Sequence, residues 1–337
     1  MSLYRTELRR LFKRRLTRLM MGLLILGLAG IAAAFSVTSH HIGPAELASA
    51  QQQAEASYQQ VLRDQQEQVR ECRAAQERGE SISDRYPPDC GEGFLPRREE
   101  FQTDWYLPYQ FNFREEFDTF LSVFAGIFVL FAFIVGASFV GAEWSTGGMM
   151  NLLLWRPKRL TVLGTKLAAL LTGMLGLALG LGALWTLAFW LIARYRGTTG
   201  KLTSGLWQSL GLTGARGLGL VLAVAVIAFG LASIGRHTAM ALGVAVAVGV
   251  LSEIGLRTVL HVAGVHFADR YVLSSYALSW FLKKWPLQDY AACDFAQGVC
   301  RPAEYVVTWQ HSAWVFGLGT LAVLVTSLWL MRRRDVA

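Results

Sequence analysis

Six apolar stretches constrain this chain more than any other feature. They fall at residues 19–37, 119–142, 161–192, 214–234, 238–262 and 311–331. Each has the ~20 residues that cross a hydrocarbon core, or somewhat more. The chain is 53% apolar and only 17% charged, against roughly 25% charge in a soluble domain. Its apolar residues are gathered in blocks rather than spread at helical or strand spacing, which excludes one large soluble core. The expected fold class is an all-α polytopic membrane protein with six transmembrane helices.

Charge orients the spans. Residues 38–118 hold 8 Arg against 16 Asp or Glu, so that block is −8 and the rest of the +8 chain is +16. The excess base lies beside apolar runs, where it reports topology and not nucleic-acid binding. Residues 1–18 carry Arg5, Arg9, Arg10, Lys13, Arg14, Arg15 and Arg18, with Tyr4, Leu8, Leu11 and Phe12 at helical spacing. They read as an amphipathic interfacial helix on membrane lipid, or as a plain basic flank; both readings place the N-terminus in the cytosol. Thr38-Ser39-His40-His41 is a poor cleavage site, so the first run reads as a retained anchor. Arg332, Arg333 and Arg334 place the tail 332–337 on the same side.

The first outer block, 38–118, is an extracytoplasmic domain. Pro44 can open a helix, and Ala45–Arg78 contains neither Pro nor Gly, so a long helix is expected. Residues 193–213 form a short outer loop whose Arg194, Arg196 and Lys201 run against the positive-inside rule. Residues 263–310 form an aromatic-rich outer segment expected to hold short interfacial or re-entrant helices. Glu253 and Arg257, four apart near the outer end of the fifth span, make an intramembrane polar pair: a functional site, or an i,i+4 salt bridge with snorkelling side chains. Small residues recur at Gly173-x-x-Gly176, Gly176-x-x-x-Gly180 and Gly317-x-Gly319, which permits close helix approach.

All four Cys fall in the outer blocks. Proximity pairs Cys72 with Cys90 and Cys293 with Cys300 as disulfides of an oxidising exterior. Neither pair has the C-x-x-C spacing of a zinc site, and no metal site is expected. There is no G-x-x-x-x-G-K-[ST], H-E-x-x-H or G-x-S-x-G, so no ATPase or other catalytic motif is found in this chain.

Between the second and third spans lies a segment, 143–160, that begins at Glu143-Trp144 and ends in Arg156-Pro157-Lys158-Arg159, with Lys166 just inside the third span. A carboxylate at its start can cap a small helix, and cations suit that helix's end. The motif Gly-Ala-Glu143-x-x-x-Gly147 followed by Arg156-Pro157-x-Arg159 and Lys166, the turn Gly235-Arg236-His237-Thr238-Ala239, the basic first helix and the six spans together resemble the permease subunits of type 2 ABC (ABC-2) exporters. The resemblance covers most of 1–37 and 119–331; the outer block of about eighty residues departs from it.

The resemblance implies a membrane subunit without its own ATPase, paired with a second permease subunit as a homo- or heterodimer. A separate soluble ABC ATPase would carry ATP and Mg, so the chain itself holds no cofactor and is not an enzyme. Glu143, Trp144, Gly147, Arg156, Pro157, Arg159, Lys166 and Arg236 would couple that ATPase to the spans. The expected cargo is a lipophilic or amphipathic compound exported across the cell membrane. The alternative is an ATPase-driven scaffold that acts on an extracytoplasmic protein partner without transport.

Overall fold

The computed structural model describes residues 3–79, 87, 90–91, 95–155, 158–290 and 302–333. Its elements in chain order are α1 (Leu3–Lys13), α2 (Arg15–Thr38), α3 (Pro44–Glu77), α4 (Phe113–Ser145), α5 (Gly148–Trp155), α6 (Arg159–Arg196), α7 (Ser204–Gly235), α8 (Thr238–Val250), α9 (Arg257–Val262), α10 (Leu273–Leu282), strands β1 (Lys284–Asp289) and β2 (Ala303–Thr308), and α11 (Trp309–Arg333). A π-helical turn, Leu251–Leu256, joins α8 to α9. Among the described residues, six helices are long and apolar enough to cross a membrane: α2, α4, α6, α7, the α8–α9 run and α11. This is the make-up of a multi-pass helical membrane protein.

The helices outrun the apolar stretches that announce them. A helix of 38 residues, the length of α6, is roughly 57 Å long at 1.5 Å per residue, well beyond a core of about 30 Å. Most of the expected loop 193–213 is therefore helix: α6 runs on to Arg196 and α7 starts at Ser204. Arg194 and Arg196 lie in the last turn of α6, where cations complement the helix dipole. The basic first segment is not one helix but two, broken at Arg14. The outer segment 263–310 is also corrected. Beside the short helix α10 it holds an antiparallel hairpin, β1 with β2, in the register Lys284↔Thr308 to Asp289↔Ala303.

The chain divides into two compact units. The smaller comprises Ala33–Phe113 and Trp190–Gly200. Here α3 starts with Pro44 in its first turn, and the Glu46 carboxylate accepts from the Gly43 N–H at 3.0 Å. Cys72 near its end is bonded to Cys90, with Cα atoms 5.6 Å apart. The returning chain meets α3 through Tyr58 and Phe101, ring centroids 5.7 Å apart, and through Arg98 and Glu55 at 2.7 Å. Buried Ser39 pins three segments: its hydroxyl donates to the Arg196 carbonyl and accepts from the Phe111 N–H, each at 3.0 Å. Cys293 and Cys300 lie outside the described residues.

The larger unit comprises Met1–Ala32, Arg114–Phe189 and Lys201–Ala337. Its core is aromatic on one flank of α4. Phe120 and Trp185 both pack at a tilt on Phe189, at 4.5 and 4.6 Å, and the Trp185 indole donates to the Phe120 carbonyl at 3.2 Å. On the other flank small residues bring α4 against α7. A Cβ on Gly136 would sit 3.1 Å from the Ala225 carbonyl, and one on Gly217 only 2.8 Å from the Ala125 side chain. Helix α10 folds back on α7 and α11, where Trp280 donates to the Arg216 carbonyl at 2.8 Å and Ser312 to the Tyr276 carbonyl at 2.8 Å.

Candidate functional site: an ion chain between the first helix and the bundle

The end of α4, the first turns of α6 and all of α1 belong to the larger unit. One apolar stripe docks α1. Leu8, Leu11 and Phe12 surround Gly173 of α6, where an added Cβ would lie 2.7 Å from the Leu11 side chain. The Tyr4 hydroxyl meets that of Thr172 at 2.7 Å. The stripe expected to face lipid is thus spent on protein, and Gly173 serves α1 rather than a span. An added Cβ on Gly176, Gly180, Gly317 or Gly319 would meet nothing within 4 Å.

Docking carries Glu7 inward. Lys166, fully buried, lies 2.6 Å from Glu7, also fully buried, and 2.6 Å from Glu143. Glu143 in turn binds Arg14, and Arg10 binds Glu7 at 2.9 Å. The order Arg10–Glu7–Lys166–Glu143–Arg14 alternates in sign along its whole length. Arg14 also donates to the Ser138 carbonyl at 2.9 Å. Phe139, fully buried, faces both cations, 5.0 Å from Arg14 and 5.2 Å from Lys166. Unpaired, Glu7 or Lys166 would be costly in so dry a site; Glu7, Lys166 and Glu143 are each paired on both sides, and the chain ends in Arg10 and Arg14, which keep some contact with solvent. Arg14 is where α1 gives way to α2, so the break in the helix is what turns its guanidinium onto Glu143.

Glu143 therefore does not cap the small helix, as its position suggests. It stands in the last turn of α4, and its carboxylate is consumed by Arg14 and Lys166. The small helix exists as α5. Gly147, at φ +73°, makes the turn into it, a conformation with a steric cost for any side chain. Met149 and Leu153 turn inward, while Leu154 and Trp155 are 82% and 87% exposed. Arg156 and Pro157 lie outside the described residues, and Arg159 opens α6.

The second turn at this end is joined to the first. Arg236, in the left-handed region at φ +55°, holds its guanidinium 5.0 Å from the centre of the Trp144 ring. Gly141 is pressed on Thr238, whose backbone nitrogen would lie 2.6 Å from a Cβ there. Five of the sequence-derived residues, Glu143, Trp144, Gly147, Lys166 and Arg236, thus fall in one connected region. Sequence reasoning missed Glu7, Ser138 and Phe139, and gave Arg14 no role beyond its charge. Signals existed. Glu7 is the one acid among the seven bases of residues 1–18, and Lys166 stands alone in an apolar run that leaves it no local partner.

Glu253 and Arg257 are not a pair. The π-helical turn that contains Glu253 has i→i+5 geometry, which breaks i,i+4 alignment. Glu253 instead accepts from the N–H and the hydroxyl of Ser274, both at 2.7 Å, and Ser252 accepts from the Leu273 N–H at 2.9 Å, so together they cap α10. Arg257 binds Asp269 at 2.7 Å.

These features define a polytopic helical membrane protein whose first helix is locked by buried ions to one end of its bundle. No family model, no curated protein and no solved structure matches the chain.

Proposed function

We propose that this chain is the membrane subunit of an ATP-driven exporter of the type 2 ABC class. In this reading α1, α5 and the Arg236 turn face the cytosol, as do both termini. A separate ATPase carries ATP and Mg and docks there, and two membrane subunits, alike or different, enclose the path of a lipophilic or amphipathic cargo. The observation that carries the reading is the ion chain. It makes α1, the end of α4 and the start of α6 one stiff body, so a push on α5 reaches two spans without being lost in side-chain motion. Leu154 and Trp155 offer an exposed aromatic anchor of the kind that dominates docking energetics. The nearly bare α8–α9 helix, with 6% of its apolar window buried, suits a second subunit.

The test is purification of the tagged chain from its own membranes. A soluble ATPase should accompany it, and Trp155→Ala should release that ATPase while leaving the Cys72–Cys90 bond formed. Glu143→Gln should keep the ATPase bound yet lower its stimulated turnover about tenfold. A chain that neither carries an ATPase nor changes one's turnover ends the proposal.

A second reading rests on the smaller unit. Its 34-residue α3 buries only Ala50, Ala54, Cys72 and Ala75, which leaves a long polar face for an extracytoplasmic partner. Here the ATPase would drive that partner and no compound would cross.

A further inference from the structure

The larger unit contains a cavity of about 420 Å³ between α4, α6 and α7. Pockets of about 300–1,000 Å³ hold small ligands. This one is walled by aromatic rings, Phe117, Phe124 and Trp207, and floored by small residues such as Gly182, Gly211 and Ala215. Its single hydroxyl, on Thr186, is already spent on the Gly182 carbonyl at 2.8 Å. Water needs two to four polar partners to stay, and the cavity offers almost none. An empty space of this size would forfeit dispersion contacts along its whole lining.

Its place in the helices says what fills it. Along α7 the lining runs from Trp207, three residues into the helix, to Val221. That is roughly 20 Å at 1.5 Å per residue, enough to cover one leaflet's share, about 15 Å, of the hydrocarbon core. Trp207 is the kind of ring that sits at headgroup level. Above it the rim is basic. Arg114 lies three and seven residues ahead of the lining residues Phe117 and Leu121, so it shares their face of α4. Its guanidinium is 3.5 Å from the Lys201 carbonyl, which brings an exposed lysine to the same rim. Glu115 and Glu116 fall on other faces. Asp118 lies three and seven residues ahead of the lining residues Leu121 and Ala125, so it borders the cavity on its α7 side, one acid against the two bases of the rim.

We infer that this cavity holds one acyl chain of an anionic membrane phospholipid, with Lys201 and Arg114 at its headgroup. The occupant is a lipid of the leaflet at the α4 start, distinct from any exported cargo, and the inference stands whether or not the chain is a transporter. It also gives Lys201 a reason to stand on a side that the positive-inside rule would leave poor in base.

Native mass spectrometry of the full chain, loaded with phosphatidylglycerol or with phosphatidylcholine of the same acyl chains, tests this. The unaltered protein should keep one phosphatidylglycerol, preferred several-fold over phosphatidylcholine. Gly211→Leu with Ala215→Phe fills the space from positions where the first has nothing within 4 Å of its new Cβ, and should lower retention of both lipids about tenfold. Lys201→Glu should remove the preference and leave phosphatidylcholine retention as it was. Undiminished phosphatidylglycerol on the filled variant overturns the site, and so does an unaltered chain that keeps none. A phosphatidylglycerol with a diazirine on its acyl chain gives an arm that needs no variant. It should label residues 178–186 and 207–221, and label confined to α8–α9 or α11 overturns the site as well.

Discussion

Two groups of charges sit in or beside apolar helices of this protein, and they are held in opposite ways. Glu7, Lys166, Glu143 and Arg14 come from three distant stretches of chain, and the first two are fully buried. Glu253, Arg257 and Asp269 come from one short stretch, and the Arg257–Asp269 pair stays 48% and 32% exposed. In the first group each charge depends on elements that only tertiary folding brings together. In the second, each side chain finishes a nearby turn or helix start. Cost follows from that difference. An uncompensated charge in the dry chain has no solvent to fall back on, whereas one in the exposed group does.

The comparison is tested most severely at Lys166. Lys166→Met removes the buried cation between Glu7 and Glu143 and leaves each carboxylate with only its outer arginine, and should destabilise the protein by about 3–5 kcal/mol, read as a fall in apparent melting temperature in detergent by tryptophan fluorescence. An unchanged melt would mean that the ion chain is not closed in solution. Next comes Glu253→Ala, which strips two hydrogen bonds from the start of α10; hydrogen bonds to charged groups contribute about 1.5–3 kcal/mol. Hydrogen exchange at residues 273–276 should rise while α1 exchange stays as it was; a rise in both would erase the distinction drawn here. The smallest effect belongs to Arg257→Ala. An exposed pair is worth roughly 0.2–1 kcal/mol, so the melt should barely move, and less still in high salt. A loss as large as that at Lys166 would show that Arg257 is buried in the working assembly.

The sequence made the six spans and the long helix α3 legible, because uninterrupted apolar runs and a Pro-opened, Gly-free stretch are local signals. The Cys72–Cys90 bond was legible for the same reason, being only 18 residues apart. What sequence could not show was anything set by distant chain. The break at Arg14 comes without Gly or Pro, and the partners that meet there, Gly173 and Glu143, are contributed by distant chain. The hairpin was hidden because its strands are six residues each, one carries Pro286, and only Leu287 and Val307 are fully turned inward. Glu253 and Arg257 were misjudged because i,i+4 spacing implies a neighbour only in an α-helix, and the π turn removes that premise.

The ion chain also imposes an order on biosynthesis. Glu7 and Lys166 are separated by 159 residues, so at about 5–20 residues per second roughly 8–30 s pass between the two leaving the ribosome. Throughout that interval α1 has neither Gly173 to dock on nor Lys166 to neutralise Glu7, and its Leu8, Leu11 and Phe12 stay open to proteases and chaperones. The α1 helix is thus made before α2, α4 and α6 yet seated only once α6 has arrived, and its seating marks a chain whose third span has been inserted. A nascent chain stalled before α6 advertises its incompleteness at its own N-terminus.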